Sequence, residues 1–252
     1  MDIKTFMILF LSVLFVINIY RTGIAHATAA VIAIPSAVLL DALFIRINKR
    51  RFEFPKSALI TGLLVSELIE PDMALWFLYF LPPMFAILSK HLIKVSHRHI
   101  FNPAAFGLFV TTLIFPTGLT WWAANPVYWV LIFGAIIIHR IRGYPHVLAF
   151  VIISLTLFSS QAFFRHTPIL DSLYTINPFF AGFILTEPKT APVTIKAKTV
   201  YGSIVGLSSF VLLQVLPEYD YSILSLLVGN LFVPFLNKRL KPNPSPAVAA
   251  WI

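Results

Sequence analysis

The 252-residue chain contains no cysteine, so by itself it forms no disulfide, no thiolate metal site and no cysteine-held iron-sulfur cluster. Charge is nearly as scarce. Asp, Glu, Lys and Arg make up 12% of the residues, where a soluble domain carries about a quarter, and a lone soluble domain is excluded. No serine-histidine-acid set, phosphate-binding glycine loop or Rossmann glycine pattern occurs, so nothing argues for a self-contained enzyme. His91, His97 and His99 are close in sequence but fall in a basic loop rather than stacked inside helices, and no haem or metal site is assigned to them.

Apolar residues fill the space these absences leave. They make up 58% of the chain, and the mean hydropathy is +0.86. With about 20 residues needed per helical crossing, the length allows about eight to ten crossings of a polytopic membrane protein. The 19 Lys and Arg against 10 Asp and Glu give a net charge of +9, which in a soluble chain would suggest nucleic acid. Here the bases cluster in short loops between apolar runs, as the positive-inside rule describes, and nucleic-acid binding is rejected.

The apolar runs predict ten helices. The first spans residues 5–20. A signal peptide cleaved near Ala25-His26-Ala27 is the alternative, but Arg21 would interrupt its apolar region. Later runs cover residues 22–45, 57–69, 73–89, 102–116, 126–138, 145–164, 177–187, 199–216 and 221–237, with a loosely ordered tail over 239–252. Threading them with the amino terminus inside puts every Lys and Arg except Arg21 and Arg165 on one face. Glu70, Asp72, Asp171, Glu218 and Asp220 fall on the other. The basic face is expected to be cytoplasmic, with both termini on it.

One element recurs. Asn102-Pro103 is followed by Gly107, three apolar residues and Thr111; Asn177-Pro178 is followed by Gly182, three apolar residues, Thr186 and Glu187. Ser57-Ala58 leads in the same spacing to Gly62, Ser66 and Glu67, and a degraded copy surrounds Gly229. Gly62 and Gly107 stand 45 residues apart, Gly182 and Gly229 47. The chain therefore reads as one integral membrane domain of two five-helix halves, roughly 1–140 and 141–238. Five crossings is an odd number, so the halves are inverted, an architecture whose short or Gly/Pro-interrupted segments mark the site.

Asn before Pro caps a helix start, an anion-friendly end, and the glycine five residues on admits a close neighbour: another backbone or a flat ligand. The candidate cofactor-binding residues are Gly62, Asn102, Pro103, Gly107, Asn177, Pro178 and Gly182. Glu187 and Lys189, in the polar stretch Glu187-Pro188-Lys189-Thr190-Ala191-Pro192, are candidates for an ion pathway, or for a simple interfacial pair. Asp41 is expected to pair with a loop base such as Arg46.

Several stretches in register resemble one family: residues 57–64, Lys90-His91-Leu92, Ile100-Phe101-Asn102-Pro103 through Gly107, residues 183–194, and the closing Leu231-Phe232-Val233-Pro234. It is that of the D subunit of the Rnf electron-transport complex and the B subunit of the sodium-pumping NADH:quinone oxidoreductase. The resemblance covers about residues 57–237. It implies a ten-helix inverted-repeat subunit that carries flavin and passes electrons in complexes moving sodium or protons. Family members usually bind FMN covalently through the last threonine of Asp-x-x-Ser-Gly-Ala-Thr, in the loop between helices five and six. Here that loop has Thr117-Gly118-Leu119-Thr120, with Ile114 at the aspartate position and no alanine, so Thr120 is not expected to anchor FMN. The expectation is an electron-transfer subunit holding FMN or riboflavin noncovalently between the halves, partnered by other membrane redox subunits and the lipid bilayer. The alternative is a cofactor-free channel or transporter for a small solute or ion on the same scaffold.

Overall fold

The computed structural model describes residues 2–49, 53–70, 75–95, 98–115 and 117–240. Helix α1 (Ile3–Thr22) starts where Asp2 stays extended and its side chain accepts the Thr5 N–H at 2.7 Å. It stops at Gly23, whose φ of 96° is easy only for glycine. This break and the short turn Ile24–His26 move the start of α2 (Ala27–Ile47) beyond the expected Thr22. Helix α3 (Lys56–Ser66) follows, then a 3-10 turn, Trp76–Tyr79, and α4 (Leu81–Leu92). The expected start of that run, Met73, lies outside the described residues; the α-helix itself begins at Leu81, with Pro82 and Pro83 in its first turn, where a missing N–H costs nothing. A two-residue hairpin, β1 (Lys94–Val95) with β2 (Arg98–His99), leads to α5 (Pro103–Ile114).

The second half holds α6 (Val127–Arg140), α7 (Tyr144–Phe164), a 3-10 stretch Ile169–Thr175, the π-helical turn Phe180–Ile184, α8 (Ile195–Val215) and α9 (Tyr221–Arg239). With α6 in it, the division between the halves falls before residue 127 rather than at the expected 140. The eighth run is thus a short π-helical segment rather than an α-helix, and the fourth glycine, Gly229, lies inside α9. Helices α1, α2, α7, α8 and α9 are long and apolar enough to cross a membrane; α3, α5 and α6 are shorter apolar helices. The protein is an all-α integral membrane protein.

Contacts between helix ends sort them onto two faces. On the basic face Lys56 at the start of α3 pairs with Asp2 at 2.8 Å, and Lys90 near the end of α4 reaches Asp41 of α2 at 2.7 Å. The Arg140 guanidinium at the end of α6 stands 3.9 Å over the Phe6 ring of α1. Lys198 of α8 donates to the Ile141 and Arg142 carbonyls, and Thr194 donates to the Leu240 carbonyl at 3.0 Å. On the opposite face Trp121 donates to Asp220 at 2.5 Å, Tyr221 to the Thr175 carbonyl at 2.9 Å and Arg165 to Gln214 at 3.2 Å. The chain therefore alternates between faces. Helices α1, α3 and α5 begin on the basic face, and α2 and α4 return to it; α6, the π-helical segment and α9 begin on the opposite face, so the halves are inverted and α1 starts on the face where α9 ends.

Helix α3, with 11 residues, rises only about 16 Å, roughly half of a ~30 Å hydrocarbon core. Residues 67–70 and 117–123 complete the crossing. The Thr120 N–H donates to the Leu68 carbonyl at 2.9 Å, the Ala123 N–H to the Glu67 carbonyl at 3.3 Å, and the Trp122 indole to the Ser66 carbonyl at 3.1 Å. Non-helical backbone at such depth survives only inside protein, and Leu68, Ile69, Trp122 and Ala123 are all buried. In the second half the π-helical turn and residues 187–192 form the matching interruption. One apolar core joins the halves, with Leu11, Leu108, Phe179, Phe183, Tyr201 and Leu226 almost fully buried.

Candidate functional site

Asn102 caps α5 because Pro103 cannot donate and the next free N–H must find an acceptor: the Asn102 Oδ1 accepts from Ala105 at 3.1 Å. Its other groups cross to the second half. The Asn102 N–H donates to Asn230 Oδ1 at 2.9 Å, and Nδ2 donates to the Ile184 carbonyl at 3.3 Å. Asn230 Nδ2 in turn faces the Tyr201 hydroxyl at 3.1 Å and the Thr190 carbonyl at 3.4 Å. Asn102, Thr190, Tyr201 and Asn230 are buried, so this network fixes the start of α5 to the interrupted segment, α8 and α9. Beside it, Glu187 Oε1 lies 3.5 Å from His99 Nε2, and the Thr190 hydroxyl stands 3.4 Å from Oε2.

In front of the network lies a cavity of about 240 Å³. Met7 of α1, Ile60 and Leu64 of α3, Pro103, Phe183 and Pro188 give it an apolar wall; Ser57, Thr61, Asn102, Glu187 and Lys189 supply polar edges, and Lys4 stands at its margin. Lys4 and Lys189 are exposed, and neither has a carboxylate within ion-pairing distance among the described residues. The arrangement suits a ligand with an apolar body and an anionic end.

Of the residues singled out from sequence, Asn102, Pro103, Glu187 and Lys189 are brought together around this cavity. The glycines are not there. A Cβ on Gly107 would collide with the Pro82 carbonyl oxygen and lie 2.8 Å from the Ala86 nitrogen; one on Gly62 would lie 2.7 Å from Ile34 Cα, and one on Gly182 2.9 Å from Gly134 Cα. What approaches each glycine is a neighbouring helix. Asn177 accepts the Phe179 and Phe180 N–H groups at 2.9 and 3.2 Å, capping the interrupted segment at its other end, and with Pro178 lies outside the cavity lining. The Thr120 hydroxyl donates to the Ile69 carbonyl at 3.3 Å, in the clip that completes the α3 crossing.

Asp41 corrects its expected pairing. It meets Lys90 at 2.7 Å and His91 at 2.6 Å rather than Arg46, because the ends of α2 and α4 pack together while Arg46 lies beyond, in the last turn of α2. His91 accordingly belongs to α4, where it stacks on Phe44 with centroids 4.5 Å apart, and not to a loop. His97 lies outside the described residues. Glu187 has His99 and Thr190 beside it, and Lys189 is not its ion-pair partner among the described residues. No group of three His, Cys, Asp or Glu side chains suited to a metal ion occurs among the described residues. Sequence reading missed Lys4, Tyr201 and Asn230. An asparagine directly after Gly229, inside an apolar run, was the available signal for the last.

A family model described as the NQR2, RnfD, RnfE family matches residues 1–127 and 126–245. Similar curated proteins are named as the D subunit of an ion-translocating oxidoreductase complex. That of Cronobacter sakazakii is 36% identical over 107 residues, 41% of this chain and 30% of the relative. That of Aliivibrio salmonicida is 33% identical over 107 residues with the same coverage, and that of an Escherichia coli O1:K1 strain is 36% identical over 91 residues, 34% of this chain and 26% of the relative. The match thus spans about 30% of the length of the first two relatives. With the family model covering both inverted halves, the chain belongs to the NQR2, RnfD, RnfE family.

Proposed function

We propose that this protein is a membrane-embedded electron-transfer subunit of an ion-motive redox complex, and that it holds FMN or riboflavin noncovalently in the cavity between α1, α3, α5 and the interrupted segment. The observation that carries the reading is an apolar cavity at the junction of two inverted halves, with two ammonium groups at its margin that have no carboxylate partner among the described residues. Its volume, about 240 Å³, lies just below the range of small-molecule pockets, about 300–1,000 Å³, so a flavin would place only its ring there and extend its tail outward. The chemistry of the donors fits. Lys4 and Lys189 would hold the phosphate of FMN, and the walls from Met7, Leu64 and Phe183 would exclude water from the ring. A bound flavin supplies the one- and two-electron chemistry; the chain supplies binding, orientation and field.

Glu187 and Lys189 form the ion-pathway side of the same proposal, since Glu187 sits at the interruption of a crossing, beside His99 and on the cavity wall. The relatives' names describe one component of a complex, so other membrane redox subunits are the proposed partners. The basic face is assigned to the cytoplasm, with the start of α1 and the end of α9 on that side.

The test is the visible spectrum of protein purified in mild detergent, before and after acid precipitation. Flavin absorbance that leaves with the supernatant is expected, and Lys4→Ala with Lys189→Ala should weaken FMN binding more than riboflavin binding. Colour kept in the pellet would mean covalent attachment. A colourless, folded protein would favour the cofactor-free channel.

A further inference from the structure

Glu67 and Asn18 are fully buried, and both carboxylate oxygens of Glu67 and both amide atoms of Asn18 lack a hydrogen-bond partner among the described residues. The two converge on one short segment. On α1, Phe15 packs on Trp122 with centroids 5.6 Å apart and Arg21 donates to the Asn125 carbonyl at 3.4 Å; Asn18 lies between them on the same helical face. From the other side, the Ser66 carbonyl accepts the Trp122 indole N–H and the Glu67 carbonyl accepts the Ala123 N–H. Because α3 rises only about 16 Å from the basic face, Glu67 stands roughly halfway across the membrane.

An isolated carboxylate there would cost far more than the fold can supply, so its charge must be cancelled. No side-chain cation does this among the described residues. The bases of the elements packed around it are Arg21, turned to Asn125; Lys56 at the far end of α3, paired with Asp2; Lys90 and His91 of α4, paired with Asp41 of α2; and Lys4, Arg46, His139 and Arg140 at the basic face. Residues 117–125 carry no charge, and the nearest other acid in sequence, Glu70, lies beyond the chain clip, beside Gly118. A hard metal cation asks for about six or more oxygens, whereas Glu67 and Asn18 offer three side-chain oxygens. A proton needs one. Its O–H, the remaining carboxyl oxygen and the amide of Asn18 form a complementary donor and acceptor set for a bridging water.

We propose that Glu67, with Asn18, is an exchangeable proton-binding site buried at mid-membrane, one turn of α3 beyond the cavity-lining Leu64. Its position has a counterpart. Glu67 follows Gly62 by the same five residues that separate Glu187 from Gly182, so each inverted half carries a carboxyl at its interrupted crossing, one closed in protein and one on the cavity wall. The site does not depend on flavin binding.

Infrared difference spectroscopy on the full chain in lipid nanodiscs tests it. At neutral pH the wild type should show the C=O band of a protonated carboxyl, which Glu67→Gln abolishes, Glu67→Asp displaces and Asn18→Ala shifts. The band should move to lower frequency in D2O within minutes and be unchanged by added NaCl. Absence of the band at neutral pH, its loss on adding NaCl, or its failure to shift in D2O would each overturn the proposal, the second in favour of a sodium site. The wild-type D2O and NaCl measurements, with Glu67→Asp for assignment, keep the test intact if the glutamine variant does not fold.

Discussion

The backbone N–H of Asn102 donates to the side-chain oxygen of Asn230 at 2.9 Å across the boundary between the two halves, and both residues are almost completely buried. Replacing Asn230 with alanine orphans the Asn102 N–H and removes the donor that reaches Thr190 and Tyr201. Leaving buried groups unsatisfied costs about 1–3 kcal/mol each, so Asn230→Ala should destabilise the protein by roughly 2–4 kcal/mol. Thermal unfolding in detergent checks this. Combined with Tyr201→Phe the losses should fall short of additivity by about 1 kcal/mol, because the Asn230 side chain donates to the Tyr201 hydroxyl.

The inverted halves were legible because two independent patterns agreed: glycine spacing and the placement of bases. The ion pairs of Lys56 and Lys90 on one face, and Trp121 with Asp220 on the other, follow that threading. The role of the glycines was less legible. Sequence shows that something approaches Gly62, Gly107 and Gly182 closely, but a helix backbone and a flat ring ask for the same missing Cβ, and the structure supplies helices at all three. Asn102 and Asn177 begin identical words yet cap crossings of opposite direction, so one reaches the cavity and the other does not. Asn230 stayed hidden because its copy of the element lacks both Asn-Pro and the hydroxyl. The partner of Asp41 depended on how α2 meets α4, a tertiary contact that local sequence does not encode.

Gly107→Ala follows directly from that packing. The added methyl would overlap the Pro82 carbonyl oxygen of α4, so α4 and α5 must separate, at a cost of about 1–3 kcal/mol or more. The unfolding temperature should fall, while the flavin content of the protein that remains folded should match the wild type. Loss of flavin with an unchanged unfolding temperature would return Gly107 to the binding site.

Lys90→Met removes one of the two partners of a carboxylate whose side chain is 3% exposed. Breaking a buried pair in this way costs about 3–5 kcal/mol, and His91 at 2.6 Å compensates only part of it. The double variant Lys90→Met with Asp41→Leu should recover much of the stability, since no buried charge is then left alone. Comparing the three unfolding temperatures tests the cluster as a unit.

Asp220, at the start of α9 on the face opposite the cavity, gives a pH dependence of opposite sign to an ordinary surface carboxylate. Burial raises its carboxyl above the usual range, although the Ile223 N–H and the Trp121 indole, which both donate to it, pull the other way. A carboxyl whose folded value is raised binds its proton more tightly in the folded state, so its contribution is complete below the unfolded value of about 3.9 and is lost as pH rises through the folded value. Asparagine at this position never ionises, but it has a single side-chain oxygen, so it keeps either the cap to the Ile223 N–H or the bond from the Trp121 indole and not both. Asp220→Asn should therefore lower stability near pH 4 by about 1–3 kcal/mol for the lost bond, with the deficit shrinking towards neutrality as ionising Asp220 costs the wild type stability, flattening the profile between them. Unfolding temperatures of both proteins measured across that range decide the matter: parallel profiles would mean that Asp220 titrates as a solvated carboxylate despite its bond to Trp121.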